Sequence, residues 1–182
     1  LNIFQLVQID VDQFYGIEIE EFPAQIAQVA LWLMDHQMNM RLSEEFGLYF
    51  ARIPLRTSPH IVHENALRVD WNEVLPADKC SFVLGNPPFL GKTYQSKVQK
   101  ADFALVMQGV KGAGDLDYVA AWYVKATNYL RGSMQANAGH APIRCAFVST
   151  NSITQGEQVG VLWGWLLAQG VHIHFAHRTF SW

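Results

Sequence analysis

The stretch Ser81-Phe82-Val83-Leu84-Gly85-Asn86-Pro87-Pro88-Phe89 decides how this chain is read. Its first four residues form an apolar run that predicts a buried strand. Gly85 allows a sharp turn, and the two prolines fix φ and remove two backbone donors. A stiff loop therefore follows the carboxyl end of a strand, the place where open α/β sheets hold their ligands. The Asn86 side-chain oxygen, the Pro87 carbonyl and the Phe89 ring are expected to face outward. Two acceptors beside an aromatic face suit a planar ring that carries an exocyclic amino group. With both amino hydrogens accepted, the nitrogen lone pair is freer to attack an electrophile. Asn and Pro are also common turn residues, so a merely rigid turn is the plainer alternative. The loop's position favours a ligand site, because a polar segment containing Gly91 and Lys92 follows it.

Working outward, the same strand-then-tip arrangement recurs twice upstream. Phe14-Tyr15-Gly16-Ile17-Glu18-Ile19 reads as a strand ending in an acid. Pro23 then sits where a first helical turn tolerates it, and a helix is expected over residues 24–36. Ile26, Val29, Ala30 and Leu33 recur at helical spacing as its apolar face. A carboxylate at a strand tip suits a ribose diol, which makes Glu18 a candidate. Glu20 and Glu21 are better explained as acids favoured at a helix start. A second strand over residues 61–67 leads to Val69-Asp70-Trp71. There a carboxylate and an indole together suit a purine, while a helix-capping Asp70 with Trp71 in the core is the simpler account.

Downstream, residues 90–114 read as a long segment carrying Lys92, Lys97, Lys100 and Lys111, with Tyr94 and Phe103 interleaved. It suits either a mobile flap that meets phosphates or a solvated loop. Helices are expected over residues 115–130 and 156–168, and strands over 143–149 and 171–176. Residues 41–58 read as mixed, with a loop. Strands alternating with helices predict an α/β domain with a largely parallel sheet.

The totals limit the function classes. Of 182 residues, 50% are hydrophobic and only 16% are charged, against about 25% in an ordinary soluble domain. Such a surface suits cover by another domain or subunit. The net charge of −3 excludes a generally basic nucleic-acid coat, so any DNA contact needs a local patch or a further domain. Cys80 and Cys145 are isolated at the starts of strand-like runs, which suits buried, reduced thiols and a cytoplasmic location. His172, His174 and His177 lack a nearby acidic or Cys partner, which argues against a metal site. No apolar run approaches membrane-spanning length.

The ordered tips Gly16-Ile17-Glu18-Ile19, Val69-Asp70-Trp71 and Asn86-Pro87-Pro88-Phe89 resemble class I, S-adenosylmethionine-dependent N6-adenine DNA methyltransferases. Gly114-Asp115-Leu116-Asp117-Tyr118-Val119-Ala120-Ala121-Trp122-Tyr123 is similar to the MmeI-like restriction–modification family. So are Phe147-Val148-Ser149-Thr150-Asn151-Ser152-Ile153 and Phe175-Ala176-His177-Arg178-Thr179-Phe180-Ser181-Trp182. The resemblance implies a Rossmann-like class I fold with a mostly parallel sheet. It implies that Glu18 binds the cofactor ribose, with Ile19 against the adenine. Asp70 accepts from the cofactor amino group, with Trp71 beside the ring. Asn86 and Pro87 hold the target amine on the stiff Pro87-Pro88 turn, and Phe89 stacks on an adenine flipped from double-stranded DNA.

The family's Gly-rich cofactor loop has no counterpart before Glu18. The chain is therefore expected to be a partial catalytic domain over residues 1–182, with its first strand upstream, a target-recognition region downstream, and a tendency to self-associate. Similar loops serve enzymes that methylate RNA or a protein glutamine amide, and a catalytically inactive interaction module is a third possibility.

Overall fold

The computed structural model describes residues 8–47, 57–136 and 142–180. The chain divides into two compact units, Leu1–Leu75 and Pro76–Trp182. Each contains one two-stranded parallel ladder with helices, so the chain is α/β with small parallel sheets.

In the first unit, β1 (Tyr15–Glu18) pairs with β2 (His60–His63), and Gly16 lies opposite Ile61. Parallel strands need a crossover connection, and the helix α1 (Glu21–Phe46) supplies it. The helix is longer than its polarity suggested. Nothing in residues 37–46 breaks it, and it ends at Gly47, whose φ of 64° is left-handed. The first part of the stretch read as mixed, residues 41–46, thus belongs to the helix; residues 48–56 lie outside the described set. The packed face also differs. Ala24, Asn39 and Ser43 are the buried residues of α1, whereas Ile26, Val29 and Leu33 are 50%, 50% and 57% exposed. Asn39 donates to Asp35 Oδ2 at 3.0 Å, and the Ser43 hydroxyl donates to the Asn39 carbonyl at 2.8 Å, which satisfies these polar side chains locally. The strand expected over 61–67 stops at His63, because Asn65 accepts the Leu67 N–H at 2.9 Å and turns the chain. Helix α2 (Trp71–Val74) follows.

In the second unit, β3 (Phe82–Gly85) pairs with β4 (Arg144–Phe147). Phe82 and Leu84 are 65% and 77% exposed, so this strand is not buried as its composition implied. A two-stranded ladder covers little of its own surface. Cys80 is correspondingly half-buried and Cys145 exposed, although both thiols are free.

Residues 90–114 are folded rather than a long flap. A capping box, with Ser96 and Gln99 satisfying each other's backbone N–H, starts α3 (Lys97–Val106). Phe103, Val106, Met107 and Val110 then enter the core. Helix α4 spans Ala120–Ala136. The segment 156–168 is helical throughout, with a π turn at Val159–Trp163 between α5 (Gly156–Gln158) and α6 (Gly164–Ala168). Leu116, Val119, Val124, Leu162 and Leu166 form the tightest part of the core. Residues 171–176 alternate like a strand but enter no ladder among the described residues, so the expected last strand is not formed. A strand is defined by its partner's hydrogen bonds, and the pattern alone does not provide one. Among the described residues no helix is long and apolar enough to cross a membrane.

Candidate active site

The 86–89 loop is held from both sides. Before it, the Gly85 carbonyl accepts the Val148 N–H at 3.0 Å, continuing the β3–β4 ladder. Gly85 is required by close approach, since a Cβ there would lie 2.9 Å from two carbons of the Phe147 ring. That ring meets Tyr123 edge-on at 5.2 Å, and the Tyr123 hydroxyl lies 3.1 Å from Ser149 Oγ. Burial pushes the Tyr123 phenol up, against the opposing effect of its bond to Ser149. After the loop, the Leu90 carbonyl accepts the Tyr118 N–H at 2.9 Å.

Between these supports Asn86, Pro88 and Phe89 are exposed, whereas Pro87, expected to present its carbonyl outward, is buried by its surroundings. The Asn86 amide makes no hydrogen bond among the described residues, so it is available to a ligand.

An open cleft of about 480 Å³ is lined by Lys92, which follows the loop in sequence, and by Asp115, Asp117, Ser152, Gln155, Glu157 and Gln158, among others. Asp117 Oδ1 accepts the Lys92 backbone N–H at 3.0 Å. The Gln158 amide donates to Asp117 Oδ2 at 3.1 Å, and the Asp117 N–H donates to Gln158 Oε1 at 3.2 Å. Burial works to raise the Asp117 carboxyl, but hydrogen bonds from Ser152, Gln158 and Lys92 outweigh it and hold the group below its usual range. Lys92 Nζ meets Asp115 at 2.9 Å on the surface, and that bond pushes its ammonium up. Neither Asp117 nor Gln158 was a candidate from sequence. A signal did exist for Asp117, an acid three residues before the start of α4.

The other candidates stand in the first unit. Glu18 ends β1 half-buried, and its Oε1 accepts the Glu20 N–H at 3.2 Å. Ile19 is 58% exposed, and its carbonyl lies 3.0 Å from His63 Nε2. Asp70 caps α2: its Oδ1 accepts from the Asn72 N–H at 2.9 Å and from the Asn72 amide at 3.2 Å. Trp71 is largely buried, with its indole N–H donating to the Ala66 carbonyl at 2.8 Å.

A family model described as the DNA-methyltransferase domain of MmeI matches residues 2–182. The chain belongs to that family. It is 41% identical over 177 residues to the DNA methyltransferase A of Bacillus subtilis (strain 168), a match that takes in 96% of this chain and 19% of that protein. It also resembles the type IIL restriction-modification enzyme MmeI, whose structure was solved in complex with DNA. There the identity is 66% and the TM-score 0.88, covering 100% of this chain and 23% of that one. This member of the MmeI methyltransferase-domain family thus spans about a fifth of the length of these relatives.

Proposed function

We propose that this chain is the catalytic part of a cytoplasmic restriction–modification polypeptide that methylates adenine N6 in double-stranded DNA. The observation that carries the reading is the 86–89 loop, fixed at both ends yet presenting an Asn86 amide unengaged among the described residues and an exposed Phe89 ring. We read the fold as Rossmann-like, of the class I type.

Asn86 and the Pro87 carbonyl accept the two amino hydrogens of the target base, and Phe89 stacks on its face. This holds the base extrahelical and aims its nitrogen lone pair. S-adenosylmethionine, when bound, supplies a sulfonium methyl whose C–S bond breaks as the new N–C bond forms, with the electron pair left on sulfur. The nitrogen then releases one proton to water. The loop contributes orientation and electrostatic support.

The cofactor-side residues suit a nucleoside. Glu18 has one oxygen engaged by Glu20, and Asp70 uses only Oδ1 for its cap among the described residues, so each has an acceptor left for a donor group. Ile19 and Trp71 supply apolar surface next to these two acids in sequence.

The test is methyl transfer from labelled S-adenosylmethionine by the full-length protein. Duplex DNA containing adenine should accept the label, and DNA with N6-methyladenine at the target should not. Label appearing instead in RNA or in a protein glutamine would overturn the DNA assignment. No label in any acceptor would favour an inactive interaction module.

A further inference from the structure

We propose that Asp117 is a positioning residue that clamps the 86–89 loop to the helical segment 156–168 through Gln158; this rests on the methyltransferase reading above. Pro87 and Pro88 have no N–H, so the loop must be located mainly by its flanks. One flank is the ladder at Gly85. The other is gripped by two consecutive residues, since Tyr118 donates its N–H to the Leu90 carbonyl and Asp117 accepts the Lys92 N–H.

Asp117 is itself fixed by a reciprocal pair with Gln158, in which each residue both donates and accepts. The acid is needed as an acceptor on both oxygens. The exposed Lys92–Asp115 ion pair, with both side chains 49% exposed, is too solvated to fix the loop. Misplacing a reacting group by about 1 Å can cost about 10²-fold in rate, so losing the clamp should act on turnover.

The pattern suggests its own rescue. Asp117→Asn places an amide NH₂ against the Gln158 NH₂ and breaks the pair. Adding Gln158→Glu makes position 158 accept at both atoms, restoring every bond between the two residues while retaining the acceptor for Lys92. In the full-length enzyme, Asp117→Asn is expected to lower kcat by up to about 10²-fold, with cofactor affinity and melting temperature unchanged. Amide hydrogen exchange at Lys92 should quicken. The double variant should recover turnover and slow exchange, and Asp115→Asn should leave both near wild type.

Wild-type turnover and exchange in Asp117→Asn would overturn the proposal. So would a fall in melting temperature that accounts for the lost activity, or failure of the double variant to rescue. If the unaltered enzyme methylates no DNA, the methyltransferase reading fails, and the exchange and rescue at Lys92 judge the clamp alone.

Discussion

Gly16 and Gly85 each lie in the first strand of a parallel ladder, Gly16 as the second residue of β1 and Gly85 as the last of β3, and the residues facing them differ. Gly16 lies opposite Ile61 and Gly85 opposite Phe147. A Cβ on Gly16 would stand 2.7 Å from Ile61 Cδ1, and one on Gly85 would stand 2.9 Å from Phe147 Cδ1 and Cε1. The distances are alike but the compliance is not. Ile61 Cδ1 is the free end of a side chain that can rotate. Phe147 is a rigid ring set edge-on against Tyr123. The strand that leads into Asn86 is thus packed against an unyielding surface, while the strand that leads into Glu18 rests against an adjustable one. The role proposed for the loop, aiming a reacting atom, needs the former; the role proposed for the Glu18 tip, accepting hydrogen bonds from a nucleoside, tolerates the latter.

Asn86→Ala in the full-length enzyme tests the functional half of that contrast and carries the largest expected effect. Methyl transfer should be abolished while calorimetry finds cofactor affinity nearly intact, because the proposed role of Asn86 is to hold the target amine and not the cofactor. Parallel loss of both would show that the loop and the cofactor residues do not divide the work between them.

Gly85→Ala comes next. Inserting a methyl against a held ring should destabilise the protein by about 1–3 kcal/mol and, by shifting the next residue, reduce turnover as well. Denaturant unfolding and methyl-transfer assays on the same variant measure the two effects. An alanine tolerated without loss of either would mean that Phe147 yields as readily as Ile61.

Phe89→Ala should leave the fold unchanged and weaken retention of the extrahelical base. Stacking on an aromatic ring is worth about 1–3 kcal/mol per base. Fluorescence of 2-aminopurine at the target position should therefore fall relative to the parent complex. Unchanged fluorescence and turnover would leave Phe89 as a packing residue.

What the sequence made legible was local. Asn86-Pro87-Pro88-Phe89 carries its own stiffness, and the structure places it directly after the strand that Gly85 ends. Glu18 likewise ends β1. Asp70 showed both of its readings, and the capping geometry is present whatever else it binds. Errors arose where the physics was not local. Residues 41–58 read as mixed, with a loop, although nothing over residues 37–46 breaks a helix and Gly47 ends it. The apolar stripe through Ile26, Val29 and Leu33 gave no sign of which face would pack, because α1 is apolar on more than one side. Residues 171–176 have a strand's alternation, but only a neighbour can make them one. Asp117 and Gln158 lie 41 residues apart, so their pairing has no signature in either segment. The Ser96–Gln99 capping box, by contrast, was readable and would have predicted α3 within the supposed flap.

Gly16→Ala should have the smallest effect, and its smallness is the sharpest test of the contrast between the ladders. Two opposing contributions act. Replacing a strand glycine restricts the unfolded chain and favours folding by about 0.5–1 kcal/mol. Moving Ile61 off its preferred rotamer to clear the new methyl costs about 0.5–1.5 kcal/mol. The two nearly cancel, so the urea midpoint should shift little, and the cofactor affinity proposed to rest on Glu18 should hold. Ile61→Val removes the one atom that stands closest, Cδ1. Combined with Gly16→Ala it should be more stable than the two single changes summed, since neighbours that share a space couple. Strict additivity would mean that the added methyl is accommodated by backbone movement instead. In that case the first ladder would be as rigidly packed as the second, and the difference drawn from Ile61 and Phe147 would not hold.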